Sequence, residues 1–169
     1  MIRDARPHDA GQIADIYNHY VLNSTVTFEI EKLSISDMAG RITETQKQDL
    51  PYIVYIDDER RVIGYAYASK WKGRCAYRYS LEVSVYLHPE QSGQGMGSAL
   101  YSVLFKQLSE LGYHVAIGGI ALPNAASVAL HEKFGMKKVA HFKEIGFKFG
   151  QWVDVGYWQG LLSSPAEVD

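Results

Sequence analysis

The spacing of apolar residues along the chain predicts helices and strands in a mixed order. Apolar positions that recur at helical spacing predict helices over 7–20, 36–47, 96–111 and 124–134. Alternating or β-branched runs predict strands over 1–5, 52–56, 62–69, 81–87, 115–121, 138–142 and 153–158, and an extended segment over 25–28. In this pattern Ser36 is the expected N-cap of the second helix, and Leu111 is the last inward-facing residue of the third.

The order of these elements indicates one α/β domain of mixed type. Two helices precede a strand meander, and the second half then alternates between strands and helices. A doubly wound parallel sheet alternates throughout, so we expect a central mixed sheet flanked by helices instead. The domain is expected to span residues 1–162 and to be followed by a flexible C-terminal tail at 163–169.

Composition and charge narrow the classes of function. The formal net charge of −2 provides no basic surface for nucleic acid. No apolar run has the length of a signal-peptide core or of a membrane span. The one cysteine, Cys75, cannot form an internal disulfide, which suits a reducing compartment. We therefore expect a cytoplasmic protein. The six histidines and one cysteine form no compact ligand set, so no metal is expected.

The segment Ser92-Gly93-Gln94-Gly95-Met96-Gly97 lies between a predicted strand and a predicted helix. Glycines at alternate positions let backbone N–H groups approach one object, and at a helix N-terminus that object is typically an anion such as phosphate. A tight strand-to-helix turn explains the same glycines equally well. The segment lacks the Gly-Lys-Ser/Thr end of the P-loop, and its glycine spacing differs from that of the dinucleotide-binding fingerprint.

With its flanking motifs, this segment resembles the pyrophosphate-binding loop of the GNAT superfamily of N-acetyltransferases. The loop pattern there is Arg/Gln-x-x-Gly-x-Gly/Ala. Gly95 and Gly97 fill its last two places, whereas Ser92 departs from the usual Arg or Gln. Segments that resemble the phosphinothricin and L-amino-acid N-acetyltransferase branch lie at 71–77, 81–86, 122–127, 130–135 and 148–156. The resemblance covers nearly the whole chain.

The resemblance implies the GNAT fold, a mostly antiparallel sheet whose middle strands splay apart to form the acetyl-CoA cleft. It also implies acetyl-CoA as co-substrate. The cofactor contacts that it implies are Val85, Tyr86, Leu87, Gly93, Gln94, Gly95, Met96, Gly97, Ser98, Asn124, Ser127 and Lys133. A backbone N–H of the strand at 81–87 is expected to stabilise the thioester oxyanion. For Lys133, an exposed helix lysine is the plainer interpretation.

Glu82 is the expected general base. Period two along residues 81–87 places it on the face opposite the apolar leucines and valines. An ammonium substrate must lose a proton when it attacks a thioester, and a partly buried carboxylate with a raised pKa can accept that proton. The resemblance implies this role for Glu82. A solvated face, or an ion pair with Arg74 or Arg78, is the structural alternative.

Asn124, Ser127 and His131 share one face of the fourth predicted helix because they are three and four residues apart. A solvent-facing polar stripe is the structural alternative. The resemblance implies that Asn124 contacts the coenzyme A arm, and that His131 stands where many relatives carry a tyrosine that protonates the leaving thiolate. An ordinary imidazole pKa of about 6.5 suits either a proton donor or a base.

The acceptor site is expected upstream of the glycine loop. By resemblance, Phe28 and Glu29 line it, and Glu29 holds an ammonium group. Further expected substrate contacts precede the strand of Glu82; they are Trp71, Arg74, Tyr77 and Arg78. The arginines suit a carboxylate, which favours a zwitterionic amino acid, although surface ion pairs explain them equally well. Trp152 and Asp154 are expected to complete the pocket.

These features favour an acetyl-CoA-dependent N-acetyltransferase for the α-amine of a small amino acid or an analogue such as phosphinothricin or methionine sulfoximine. Direct transfer in a ternary complex is expected, since Cys75 has no histidine nearby in sequence to activate it. The alternatives are a non-catalytic acyl-CoA sensor and an acetyltransferase for another amine, such as a polyamine or a protein N-terminus. The resemblance also implies a homodimer, with the Tyr- and Trp-rich C-terminal third as a candidate interface.

Overall fold

The computed structural model describes residues 1–91 and 93–162. The expectations for Ser92 and for the tail at 163–169 lie outside these residues. The helices are α1 (Ala10–Asn23), α2 (Ile35–Lys47), α3 (Met96–Glu110) and α4 (Ala125–Lys133). The strands are β1 (Ile2–Asp4), β2 (Tyr52–Ile56), β3 (Val62–Lys70), β4 (Ser80–Leu87), β5 (Val115–Leu122), β6 (Lys137–Lys148) and β7 (Gln151–Leu161).

The strands form one sheet in the order β1-β2-β3-β4-β5-β7-β6. Neighbouring strands are antiparallel except for β4 and β5, which are parallel. β4 and β5 are in register over only three residue pairs, of which the last is Glu82 with Ile117. Beyond Glu82 the two strands diverge, and the edge of β4 that faces β5 carries backbone groups without a strand partner. The predicted mixed sheet and its splayed middle strands are confirmed.

Each face of the sheet buries its own core. On one face, α3 packs Leu100, Leu104 and Leu108 against the strands, and all three are fully buried. On the opposite face, α1 and α2 cover a second, tyrosine-rich cluster. Because side chains alternate along a strand, Val83 points towards α3 and Glu82 points to the face of α1 and α2.

Three local predictions are wrong. Ser34, not Ser36, caps α2, because the Ser34 hydroxyl and the Asp37 carboxylate each accept the other residue's backbone N–H (3.0 and 3.2 Å). Residues 25–27 form bends instead of the extended segment expected over 25–28, since hydrogen bonds to other parts of the fold hold Thr27. Leu111 is 53% exposed, since α3 ends one residue earlier and the helical spacing no longer applies.

The strands β6 and β7 form a hairpin, and both are longer than the strands predicted over 138–142 and 153–158. Its turn is formed by Phe149 and Gly150, both with left-handed backbone conformations (φ 52° and 72°). An irregularity between Phe142 and Gly146 breaks the alternation of side chains along β6, which explains why only part of the strand was visible as a pattern. β6 forms an edge of the sheet. None of the described helices has the length and apolar content of a membrane span.

Candidate active site

The glycine loop forms a backbone anion site at the start of α3. Gly93 and Gly95 adopt left-handed conformations (φ 80° and 78°), which residues with a Cβ rarely take. The first main-chain hydrogen bond of α3 runs from the Ala99 N–H to the Gly95 carbonyl (3.0 Å). The N–H groups of residues 96–98 therefore have no partner within the helix. Together with the positive end of the helix dipole, they fit a pyrophosphate group.

The helix α4 packs over the first turn of α3. A Cβ on Gly97 would lie 3.2 Å from the side chain of Leu130, so the glycine permits this close packing. Lys133 Nζ donates a hydrogen bond to the hydroxyl of Ser98 (3.0 Å). This contact holds an ammonium group beside the anion site, where it favours a negatively charged ligand.

A narrow slot follows the divergence of β4 and β5. It is lined by Val26, Val83, Ser84, Val85, Tyr86, Tyr101, Gly119, Ile120, Ala121, Asn124, Ser127 and His131. An extended ligand with amide groups can pair with the free edge of β4 as a further strand would. Val85, Tyr86 and Leu87 are the expected backbone contacts on this edge. The carbonyl of Leu87 is already occupied, because it accepts a hydrogen bond from the Tyr20 hydroxyl (2.6 Å).

The polar face of α4 turns into this slot and not into solvent. The Asn124 side chain accepts the N–H of Ser127 (3.1 Å) and thereby caps the helix. His131 is only 4% exposed. Its Nδ1 lies 2.7 Å from the Ser127 carbonyl, and its Nε2 lies 3.1 Å from the hydroxyl of Tyr101 on α3. The predicted grouping of these three side chains is present in the fold.

The hydrogen bonds define the protonation state of His131. A carbonyl only accepts hydrogen bonds, so Nδ1 carries a proton and donates it to Ser127. Burial lowers the pKa of His131, although the hydrogen bond to Ser127 acts in the opposite direction. In the neutral ring Nε2 is therefore an acceptor, and the Tyr101 hydroxyl donates to it. Burial raises the pKa of Tyr101, which keeps this hydroxyl protonated.

Glu82 is half-buried at the point where the sheet divides. Burial raises the pKa of its carboxyl group, and the nearby Lys72 ammonium offsets this rise in part. Among the ion pairs of residues 1–91 and 93–162, none joins Glu82 to Arg74 or Arg78. A carboxylate with a raised pKa and no fixed counter-ion is suited to accept a proton.

Two consecutive glycines of β5, Gly118 and Gly119, let His131 and Glu82 approach the strand closely from its two opposite faces. A Cβ on Gly118 would lie 2.4 Å from the ring of His131. A Cβ on Gly119 would lie 3.3 Å from Glu82 Oε1 and 3.0 Å from the ring of Tyr157. The absence of side chains here lets His131 contact one face of the strand and lets Glu82 contact the other.

A pocket of about 540 Å³ opens on the same face as Glu82. It is lined by Phe28, Trp71, Lys72, Ile117, Val139, Ala140, Phe142, Ile145, Val155, Tyr157 and Gln159. Its walls are mostly apolar, and the rings of Trp71 and Tyr157 form a T-shaped contact with centroids 5.5 Å apart. Lys72 supplies a cation, and its Nζ lies 5.2 Å from the centre of the Trp71 ring.

Two of the expected substrate contacts, Phe28 and Trp71, line this pocket, and the other four do not. Arg74, Tyr77 and Arg78 lie exposed in the β3–β4 connection, where Arg78 stacks over Tyr79 (4.6 Å). Glu29 is hydrogen-bonded and ion-paired to Arg41 and also accepts a hydrogen bond from Tyr17. The hydrogen bond from Arg41 lowers the pKa of Glu29, so this carboxylate already has a cation.

The two later residues expected at the pocket also lie outside it. Asp154 accepts hydrogen bonds from the His141 ring (2.7 Å) and from the Glu144 N–H (2.8 Å). Trp152 is 62% exposed and contacts the ring of Phe147. Both positions alternate with the pocket residues Val155 and Tyr157 along β7, so their side chains point to the other face of the strand.

The sequence interpretation did not include several residues of the site: Lys72, Tyr101, Gly118, Gly119 and Tyr157. The glycine pair carried a signal, because glycines inside a strand pattern often mark a close approach of other groups. Tyr101 falls within an apolar helical stripe and gives no separate signal there. Among the described residues, no group of three or more His, Cys, Asp or Glu side chains is arranged to hold a metal.

A mixed sheet that divides at a half-buried glutamate, beside an anion-binding helix start, defines an acetyltransferase of the type that binds acetyl-CoA between splayed strands. Residues 2–156 match the family model described as "Acetyltransferase (GNAT) domain". The chain belongs to this family. The predicted fold class and the predicted class of enzyme are thus confirmed.

Curated relatives of similar length carry more specific names. The chain is 34% identical over 165 residues to phosphinothricin N-acetyltransferase of Streptomyces coelicolor, covering 96% of each chain. It is 35% identical over 170 residues to the L-methionine sulfoximine/L-methionine sulfone acetyltransferase of Salmonella typhimurium, covering 99% of this chain and 98% of the relative.

A solved structure shares the fold closely. The phosphinothricin acetyltransferase of the GNAT superfamily from Sinorhizobium meliloti, in complex with AcCoA, matches with a TM-score of 0.93. The two chains are 39% identical, and the match covers 96% of this chain and 88% of the other. The division of the sheet after Glu82 therefore occurs in a fold that binds acetyl-CoA in a relative.

Proposed function

We propose that the protein transfers the acetyl group of acetyl-CoA to the α-amine of a small amino acid or amino-acid analogue. The observation that carries this proposal is the meeting of Glu82 and His131 at opposite faces of Gly118 and Gly119. Acyl transfer to an amine needs a base on the acceptor side and a proton source on the thiol side. The divided sheet supplies one group to each side.

The residues have distinct roles in this proposal. Glu82 takes a proton from the acceptor ammonium, directly or through water, and frees the amine for attack. A backbone N–H of β4 at Val85 or Tyr86 stabilises the oxyanion that forms on the carbonyl. On the thiol side, His131 first takes up a proton at Nε2; the Tyr101 hydroxyl then gives its own proton to the leaving sulfur and regains one from the Nε2–H of His131, so that both side chains end neutral. No side chain becomes acetylated, since Cys75 lies exposed on the β3–β4 connection and does not line the slot or the pocket.

The remaining contacts divide between cofactor and acceptor. The backbone of residues 93–98 and the Lys133 ammonium hold the pyrophosphate, and Asn124 and Ser127 border the arm. The apolar pocket with Lys72 at its wall suits an amino acid whose carboxylate meets a cation, and Arg74 and Arg78 are further candidates for that carboxylate. The names of the relatives, which mention phosphinothricin and methionine sulfoximine or sulfone, support this acceptor class.

The experiment is a measurement of thiol release from acetyl-CoA with a panel of amines. The panel contains phosphinothricin, methionine sulfoximine, methionine sulfone, ordinary amino acids, a polyamine and a peptide with a free N-terminus. We expect release with one or more of the zwitterionic amines, and a strong loss of that release in Glu82→Gln. Measurable acetyl-CoA binding without release for any amine would support a sensor instead.

We also propose that the protein is a cytoplasmic homodimer, with β6 and the following turn at the interface. Large apolar side chains are exposed along this edge: Val139, Phe142, Ile145 and Phe147 on β6, Phe149 in the turn and Trp152 at the start of β7. An exposed apolar edge promotes aggregation unless another chain covers it. Sedimentation of Ile145→Glu tests the proposal: we expect monomers, whereas the control Ile35→Glu, at an exposed position on α2, keeps the dimer. A monomeric wild-type protein would refute it.

A further inference from the structure

Lys148 is a buried cation at the end of β6. Lys148 is only 2% exposed, and burial lowers the pKa of its ammonium group. Nζ donates hydrogen bonds to the Thr27 carbonyl (2.7 Å) and to the Tyr20 carbonyl (3.4 Å). Within the described part of the chain, Lys148 belongs to no ion pair. An ammonium group buried without a counter-ion is costly, so its partners need to be held firmly.

Both partners are backbone groups at the same place in the fold. Tyr20 lies in the last turn of α1 (Ala10–Asn23), where the helix dipole is negative and stabilises a cation. Thr27 lies in the connection between α1 and α2, which has no regular secondary structure. Lys148 therefore ties this irregular connection to the β6–β7 hairpin, across 121 residues of sequence.

The connection is held at Thr27 from several sides. The Thr27 hydroxyl is hydrogen-bonded to the Tyr17 hydroxyl of α1 (2.7 Å). The next residue, Phe28, packs its ring on Gly146 of β6, where a Cβ would lie only 2.2 Å from the ring. The hairpin thus holds both the backbone of Thr27 and the side chain of Phe28.

The residues on either side of Thr27 line the two halves of the active site. Val26 lines the slot with Ser84 and His131, and Phe28 lines the acceptor pocket with Trp71. A shift of the Thr27 backbone would therefore displace Val26 in the slot and Phe28 in the acceptor pocket. The ammonium of Lys148 is placed to prevent that shift.

We propose that Lys148 is a positioning residue for acyl transfer: its buried ammonium holds Thr27 and thereby sets Val26 against the cofactor slot and Phe28 against the acceptor pocket. This inference rests on the proposed function, because it assigns those two cavities to the cofactor and the acceptor. It gives a role to Lys148, which the proton-transfer chemistry leaves unexplained.

The test compares Lys148→Gln and Lys148→Met with the wild-type protein and with Lys143→Met, an exposed lysine on the same strand. Gln retains an N–H donor, whereas Met fills the volume without donating. If hydrogen bonding to Thr27 matters, KM for the acceptor rises in the order wild type, Gln, Met, and kcat/KM falls about tenfold or more in Met. Lys143→Met keeps the wild-type values.

A second measurement does not depend on activity. Hydrogen–deuterium exchange of residues 24–30 is expected to be faster in Lys148→Gln and faster still in Lys148→Met, with residues of α3 unchanged. Should Lys148→Met not fold, the Gln variant alone decides, by faster exchange and a raised KM. Equal or better kinetics and exchange in Met than in Gln would show that Lys148 only fills space, and would overturn the inference. A wild-type protein that acetylates no amine would refute the proposed function, while the exchange data still test the anchoring.

Discussion

Tyr101 and His131 share one buried hydrogen bond of 3.1 Å although they belong to different helices and lie 30 residues apart. The bond links α3, whose start forms the anion site, to α4, whose polar face borders the slot. It also gives a hydrogen-bond donor to Nε2, the acceptor nitrogen of the neutral His131 ring. Protonation of His131 would reverse the direction of this bond and free the Tyr101 proton for the slot.

Tyr101→Phe tests this pair, since it removes the hydroxyl and keeps the ring contacts with Phe105 and Phe134. Nε2 of His131 then lacks its donor in a buried place. We expect the free energy of unfolding to fall by about 1–3 kcal/mol in urea titrations. Because thiolate protonation is impaired, kcat should fall while KM for acetyl-CoA stays unchanged. Unaltered stability together with unaltered kcat would contradict the assigned hydrogen bond.

Gly118→Ala is expected to displace His131, because the new Cβ would lie 2.4 Å from its ring. Overpacking of this type costs about 1–3 kcal/mol of stability, and we expect lower kcat as well. The matched control is Gly40→Ala on α2, where a Cβ meets no atom within 4 Å. There a better helix former should stabilise the protein by about 0.5–1 kcal/mol. Thermal unfolding and steady-state kinetics distinguish the two.

Glu82→Gln should lower kcat by about a hundredfold to ten-thousandfold, the usual contribution of a general base. The base must be ionised to act, and burial raises the pKa of Glu82 above its ordinary value of 4.5. The wild-type kcat should therefore decline as the pH falls through that raised pKa, and this limb should vanish in the variant. The control Glu59→Gln, in the β2–β3 turn, should keep the limb. A pH profile of kcat that is the same in Glu82→Gln and the wild type would exclude Glu82 as the base.

The free energy of unfolding at low pH tests the hydrogen-bonded carboxylate of Asp9, independently of the active site. Burial alone raises the pKa of Asp9, but hydrogen bonds from Arg3 (2.7 and 2.9 Å) and from the Arg6 N–H (2.7 Å) lower it overall. A lowered folded-state pKa adds stability above the unfolded value, and this stability is lost as the pH falls through the folded value. Asp9→Asn should cost about 2 kcal/mol at pH 7.

The difference between Asp9→Asn and the wild type should shrink towards low pH, because the wild-type carboxylate then becomes protonated too. Urea titrations at several pH values measure this convergence. The exposed Asp58→Asn in the β2–β3 turn should follow the wild-type curve throughout. A constant gap between Asp9→Asn and the wild type at all pH values would show that the charge of Asp9 is not the cause.

Much of the fold could be predicted because its elements depend on local rules. The apolar stripe of α3 and the period-two run of β4 identify a helix and a strand without knowledge of their neighbours. Glycines 93 and 95 are needed locally, because their backbone conformations disfavour a Cβ. The face on which Glu82 lies also follows from period two alone.

The partners of the polar side chains could not be predicted in this way. Glu29 was expected to meet an ammonium substrate, but the packing of α2 brings Arg41 to it. The pocket wall contains Lys72, not the more conspicuous Arg74 or Arg78. These outcomes depend on which elements lie side by side, and local periodicity carries no information about that.

The sequence by itself therefore determined most of the elements, the glycine loop and the strand that carries Glu82, since each depends on residues that are close along the chain. It also determined the family, because each of the motifs that identify it is a short segment. The tertiary structure alone decided that His131 and Glu82 meet at Gly118 and Gly119 and that Lys148 holds Thr27. Such contacts join residues far apart in sequence, and they exist only once the sheet has divided and the hairpin of β6 and β7 has packed against α1.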